Sequence, residues 1–190
     1  MSFDFLASLR RVKPEKRSTP LTYRPASELT GVSDLSSSAS PNILLDTNVY
    51  IHAAAGHLPV EVAELIGRVL VFNSSVCVAE LAAGVGHADP ALPTWRPMRE
   101  HYKAVIEKMQ PSRIITPDSV VWSEAGLIAG VLARIQNYQR QQRLDCLNDA
   151  LILLSAARVG LSVLTENRKD FDLIQQLVPA VRFIHYQAVK

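Results

Sequence analysis

Ile43-Leu44-Leu45-Asp46-Thr47-Asn48 is an apolar run that stops at a carboxylate followed by two small polar side chains. A strand buried on both faces reads as continuous Ile and Leu. It can hold an acid only at its end, where the carboxylate escapes the desolvation cost of the interior and faces a crevice. From Asn42 onward, short apolar runs alternate with helical patterns, the signature of a parallel sheet covered by helices on both faces. The fold class is therefore α/β with a central, mainly parallel sheet. Strands are predicted near 43–46, 70–73, 113–115, 162–165 and 182–185. Helices are predicted near 47–54, 60–68, 75–84, 96–109, 118–141, 147–159 and 170–177. Pro117 beside Asp118 marks one helix start, and Gly160 after Arg158 marks a helix end.

Three further acidic neighbourhoods repeat the pattern of the first. Glu80 lies in the small-residue helical stretch Val76-Cys77-Val78-Ala79-Glu80-Leu81, after the apolar run from Val69 to Phe72. Asp149 lies near the start of the strongly apolar helix opened by Leu147-Asn148-Asp149-Ala150-Leu151-Ile152. Leu161-Ser162-Val163-Leu164-Thr165 ends in Glu166-Asn167-Arg168-Lys169-Asp170. In an open parallel sheet, ligands bind beyond the carboxyl ends of the strands, where Asp46, Asn167 and Asp170 are expected. Glu80 and Asp149 sit on helices that can point into the same crevice.

An uncompensated acid cluster repels itself, and the usual remedy is a hard divalent cation held by oxygen ligands. Mg²⁺ or Mn²⁺ fits best, because no cysteine pair or clustered histidine offers the softer set that Zn²⁺ favours. Such a site suits phosphodiester hydrolysis. Asp145 shares a helical face with Asp149, so two readings stand: an outer ligand, or a solvated first-turn acid favourable to the helix dipole. Taken singly, Asp46 also reads as a helix cap and Glu80 as an exposed helical glutamate.

Composition narrows the alternatives. At 190 residues, 48% hydrophobic and 20% charged, the chain suits one domain with a well-buried core. No apolar run reaches the ~18 to 20 residues that span a bilayer, and the start lacks the apolar core of a signal peptide. A cytoplasmic protein with no membrane association is expected. Cys77 and Cys146 sit in apolar helical stretches and read as packed thiols rather than a disulfide or metal pair. The histidines at 52, 57, 87, 101 and 185 are scattered, and no glycine-rich phosphate loop appears.

Residues 1–41 read as an N-terminal extension or linker ahead of a domain at 42–190. Prolines at 14, 20, 25 and 41 punctuate it, and Ser36-Ser37-Ser38-Ala39-Ser40 resembles a linker. Phe3, Phe5, Leu6 and Leu9 form a short amphipathic start, so a mobile tail and a docked segment are both open. Residues 1–42 carry six basic against four acidic residues, whereas the remainder is formally neutral. A neutral body with clustered acids is no general nucleic-acid sponge.

In order and spacing, Ile43 to Ile51, Val78 to Gly84, Asn148 to Ile152 and Leu164 to Phe171 resemble the PIN-domain ribonucleases, especially the VapC-type toxins of bacterial toxin–antitoxin pairs. The resemblance implies a three-layer α/β/α sandwich, Mg²⁺- or Mn²⁺-dependent endoribonuclease activity, a homodimer, and inhibition by a small cognate antitoxin. By motif position it makes Asp46, Glu80 and Asp149 an acidic triad of catalytic and metal ligands, with Thr47 or Asn48 near metal or phosphate. Many members carry a fourth acid just after the threonine of the last motif. Here that position is Asn167, so Asp170 is the candidate replacement. Thr165, Arg143 and Arg168 complete the candidate RNA contacts, with Arg134, Arg140 and Lys169 beside them; these cations read equally as soluble helix faces. The extension is a second departure, because toxins of this kind begin almost at the first strand. A competing reading from another class is a PIN-like RNA- or protein-binding module that has lost catalysis. A haloacid-dehalogenase-type phosphatase needs a second Asp where Asn48 stands.

Overall fold

The computed structural model describes residues 4–35 and 41–189. Phe3 and the Ser36–Ser40 stretch lie outside the described residues. Among the described residues five strands form one sheet: β1 (Ile43–Leu45), β2 (Val71–Ser74), β3 (Ile114–Ile115), β4 (Ser162–Thr165) and β5 (Phe183–His185). All neighbours are parallel and the order is β3-β2-β1-β4-β5. Among the described residues, eight α-helices flank it: α1 (Phe5–Val12), α2 (Thr47–Ala55), α3 (Val60–Arg68), α4 (Ser75–His87), α5 (Trp95–Glu107), α6 (Ser119–Ile135), α7 (Arg140–Arg158) and α8 (Arg168–Leu177).

Every residue of β1 and β4 is buried, as their unbroken apolar runs require. The chain leaves β1 toward β2 on one side and returns beside it as β4, so the direction of winding switches between β1 and β4. Leu45 is in register with Leu164, and the Asp46 amide donates to the Leu164 carbonyl at 3.0 Å. The ladder thus holds the Asp46 backbone just as its side chain emerges at the carboxyl edge.

The helix read as 118–141 in fact ends at Ile135. Asn137 adopts a left-handed conformation with φ 56°, which asparagine tolerates, and the Tyr138 amide closes back on the Ala133 carbonyl at 3.1 Å. No Gly or Pro marks this stop. The next helix opens at Arg140 rather than 147, because the Gln142 side chain accepts from the Gln139 amide at 2.8 Å and caps an earlier start. Asp149 therefore sits in the middle of α7, and Asp145 lies beyond its first turn, which removes the first-turn dipole reading.

Residues 4–35 lie against the body. In α1, Ser8 and Val12 are buried one turn apart against α6, while Phe5 and Leu6 stay about half exposed. Ser8 Oγ and Ser123 Oγ share a 2.9 Å hydrogen bond, and Arg11 Nη1 donates to the buried Glu124 at 2.7 Å. Farther on, the His185 amide donates to the Thr30 carbonyl at 2.9 Å, so the segment also lines the open edge of β5.

Candidate functional site

The β1–α2 and β4–α8 junctions meet α4 and α7 at the switch between β1 and β4. Asp46 follows β1 and is only 3% exposed. Its Oδ1 accepts from the Thr47 amide at 2.8 Å, capping α2. Its Oδ2 accepts from Thr165 Oγ1 at 2.7 Å, across the switch, and from Asn48 Nδ2 at 3.2 Å. The cap reading and the site reading of Asp46 are thus compatible: one oxygen serves the helix and the other is held by Thr165 and Asn48.

Glu80 projects from α4 and is half-buried. Its Oε2 accepts from Thr47 Oγ1 and its Oε1 from Asn148 Nδ2 at 2.7 Å. Asp149, on α7 beside Asn148, is 9% exposed. Its Oδ2 accepts from Asn167 Nδ2 at 2.9 Å, and the same amide reaches Asp170 Oδ2 at 2.9 Å. The Asn167 amide N–H donates to Thr165 Oγ1 at 2.9 Å. One hydrogen-bonded network therefore runs Glu80–Thr47–Asp46–Thr165–Asn167 and ends on Asp149 and Asp170.

The electrostatics follow from burying acids together. Burial raises the Asp46 carboxyl to about 6, with the Glu80 charge adding to it against the hydrogen bonds from Thr165, Thr47 and Asn48. Burial also raises Asp149 well above the usual carboxylate range, and the charges of Asp46, Asp170, Glu80 and Asp145 raise it further. Beneath them, Cys77 donates its thiol to the Leu45 carbonyl at 3.5 Å, and burial lifts that thiol above its ordinary range. Burial likewise pushes Cys146 up to about 12, so both cysteines are packed thiols.

This set offers oxygen donors and an excess of negative charge in a poorly solvated place, which fits a hard divalent cation in charge and donor type. Among the described residues, however, no group of three or more His, Cys, Asp or Glu side chains is arranged so that it could hold a metal ion. The carboxylates turn instead to Thr47, Asn148 and Asn167.

Other residues singled out in the sequence stand apart from this network. Asp145 is exposed and accepts from Gln141 Nε2 at 2.8 Å. Arg143 is exposed and lines a separate shallow groove with Gly126, Gly130 and Leu144. Arg168 begins α8 and borders a cleft of about 410 Å³ with Glu166, His185 and Gly31. A second cleft, of about 370 Å³, opens directly from Glu80 and Asn148 toward Thr116, Pro117 and Trp122. Asn148 was not among the residues expected here. Its signal was its place immediately before Asp149, which puts its amide on the adjoining helix face toward Glu80.

The PIN domain family profile matches residues 43–176. The chain belongs to the PIN domain family, whose members are typically nucleases. Comparison with curated proteins gives no match. Among solved structures, VapBC2 from Rickettsia felis, bound to a DNA fragment from its promoter, contains a chain 18% identical with a TM-score of 0.55. That similarity covers 77% of this chain and 99% of that one. VapBC-5 from Mycobacterium tuberculosis, of a toxin–antitoxin family, gives 23% identity and a TM-score of 0.51 over 77% and 99%. FitAcB from Neisseria gonorrhoeae gives 20% and 0.53 over 76% and 96%. At these identities the shared property is the α/β/α fold.

Proposed function

We propose that this protein is a metal-dependent endoribonuclease that hydrolyses RNA phosphodiester bonds, and that it is the toxin of a type II toxin–antitoxin pair. The observation that carries this reading is the single network joining the buried Asp46 and Asp149 to Glu80 at the carboxyl ends of β1 and β4. Membership of a family of nucleases and the likeness to VapBC assemblies support it.

In this reading Asp46, Glu80 and Asp149 would hold Mg²⁺ or Mn²⁺, with Asp170, Asn167 and Asp145 as outlying candidates. When bound, such an ion lowers the pKa of a water and offsets charge on the scissile phosphate. The chain's own contribution is orientation. Thr47, Asn48 and Thr165 fix the carboxylate rotamers, and Arg143 and Arg168 supply cations to the RNA backbone. Residues 42–190 form the nuclease domain and residues 1–41 an extension to it. A small antitoxin covering the cleft, a homodimer and a cytoplasmic location complete the proposal. Among the described residues, no helix is long and apolar enough to cross a membrane.

The test is cleavage of structured RNAs by the purified protein with Mg²⁺ or Mn²⁺. Activity in the wild type that is lost in Asp46→Ala is the expected result, and equal cleavage by both would indict a contaminant. The second reading, a PIN-like binding module without catalysis, draws on Asn167 and on the absence, among the described residues, of three acids arranged to hold an ion. Calorimetry separates the two. Divalent-ion binding in the micromolar range that disappears in Asp149→Asn supports the enzyme, and its absence in the wild type supports the module.

A further inference from the structure

Residues 21–24 of the N-terminal segment cross α8 in a run of hydrogen bonds that leaves one large side chain outside. Gln136 Nε2 donates to the Leu21 carbonyl at 2.8 Å and Gln176 Nε2 to the Thr22 carbonyl at 3.0 Å. On the other side of Tyr23, the Arg24 amide and Nε donate to the two oxygens of Asp172 at 2.8 and 2.6 Å, and Arg24 Nη2 reaches Gln175 Oε1 at 2.6 Å. Asp172 is 1% exposed. A carboxylate buried this deeply and held at once by a guanidinium and a backbone N–H is a costly and geometrically specific anchor. Yet Tyr23, held between these clamps, is 54% exposed.

The surroundings of Tyr23 lead back to the acidic site. Lys169 Nζ stands 5.7 Å from the ring centroid, within cation–π range. Lys169 occupies the first turn of α8 beside Asp170, which shares the Asn167 amide with Asp149. Tyr138 belongs to the same neighbourhood. Among the described residues its buried hydroxyl has no hydrogen-bond partner, and burial, with the charges of Asp170 and Asp149 adding to it, keeps that hydroxyl protonated.

A fixed, solvent-facing aromatic ring beside a free-standing ammonium is the pairing that single-stranded nucleic acid uses. Any unstacked base offers a face to the ring, and the adjoining phosphate offers its charge to the lysine. A duplex offers no such face, because its bases are already stacked. We infer that Tyr23 stacks a nucleobase of single-stranded RNA while Lys169 contacts a neighbouring phosphate, so that the N-terminal segment forms one lip of the nuclease site. This inference rests on the ribonuclease reading above.

The experiment measures fluorescence anisotropy of a labelled mixed-sequence RNA oligonucleotide, single-stranded and annealed to its complement, on the full chain carrying Asp149→Asn to prevent cleavage. Tyr23→Ala is expected to weaken single-strand binding about tenfold or more, and Tyr23→Trp to retain it. Lys169→Ala is expected to reduce the salt dependence by about one phosphate contact. Thermal melting of each variant controls for folding. Binding by Tyr23→Ala equal to its parent, or equal affinity of the parent for duplex and single strand, would overturn the inference. Failure of the unsubstituted chain to bind or cut any RNA in Mg²⁺ or Mn²⁺ overturns the ribonuclease reading as well. Cleavage of single-stranded RNA that persists unchanged when Tyr23→Ala is made in the chain with Asp149 intact overturns the stacking role alone.

Discussion

The Asn167 side-chain amide donates to Asp149 Oδ2 at 2.9 Å, from the position where the resemblance to PIN-domain toxins leads one to expect a fourth acid. In place of a further negative charge, the site has a neutral donor that ties two of its carboxylates, Asp149 and Asp170, together. A neutral side chain here adds no charge beside Asp149, whose carboxyl burial already raises well above the usual carboxylate range.

Asn167→Asp reverses that arrangement. It removes the donor shared by Asp149 and Asp170 and adds a fourth carboxylate. Without metal the variant is expected to be less stable than the wild type by about 1 to 3 kcal/mol, the range for stranding a buried polar group. Mg²⁺ should then raise its melting temperature by more than it raises that of the wild type. Thermal melts with and without the ion decide the matter, and an equal response in both proteins would count against a metal site here.

Asp46 predicts a pH dependence. Its carboxyl titrates near 3.8 in the unfolded chain and near 6 in the folded one, mainly because it is buried. Between those values the folded state binds more protons, so stability falls as pH rises through the window. Two pH units correspond to a loss on the order of 3 kcal/mol by pH 7. Asp46→Asn cannot ionise and should lack this slope. The difference in unfolding free energy between variant and wild type should therefore shift in the variant's favour from pH 4 to pH 7. Urea titrations of metal-free protein at those two pH values measure it; parallel curves would contradict the burial of a shared charge.

Arg24 predicts how strongly the N-terminal segment is bound into the fold. Arg24→Ala leaves Asp172 buried without its cation and is expected to cost about 3 to 5 kcal/mol. Replacing both partners with apolar residues, Arg24→Met with Asp172→Leu, should recover most of that loss. Chemical denaturation of the single and double variants tests both statements. A single variant as stable as the wild type would mean that the segment detaches at little cost.

How far the chain could be read follows from the range of each interaction. The strands and most helices announce themselves through neighbouring residues, because burial on both faces demands an unbroken apolar run. The break at Asn137 did not, since it depends on one asparagine entering the left-handed region without Gly or Pro. For the same reason Asp149 was misplaced near a helix start when it sits in the middle of α7.

The sequence by itself determined the α/β class and the four acidic neighbourhoods, because strand-end chemistry and periodicity are local. Only the tertiary structure decided which groups meet: Asn148 with Glu80 across 68 residues, Thr165 with Asp46 across 119, and Arg24 with Asp172 across 148. It also turned residues 4–35 from an extension with two open readings into a segment that neutralises buried acids on α6 and α8. No local pattern encodes such partners. They are selected by the cost of leaving a buried charge or polar group alone, and that cost exists only once the chain has closed around it.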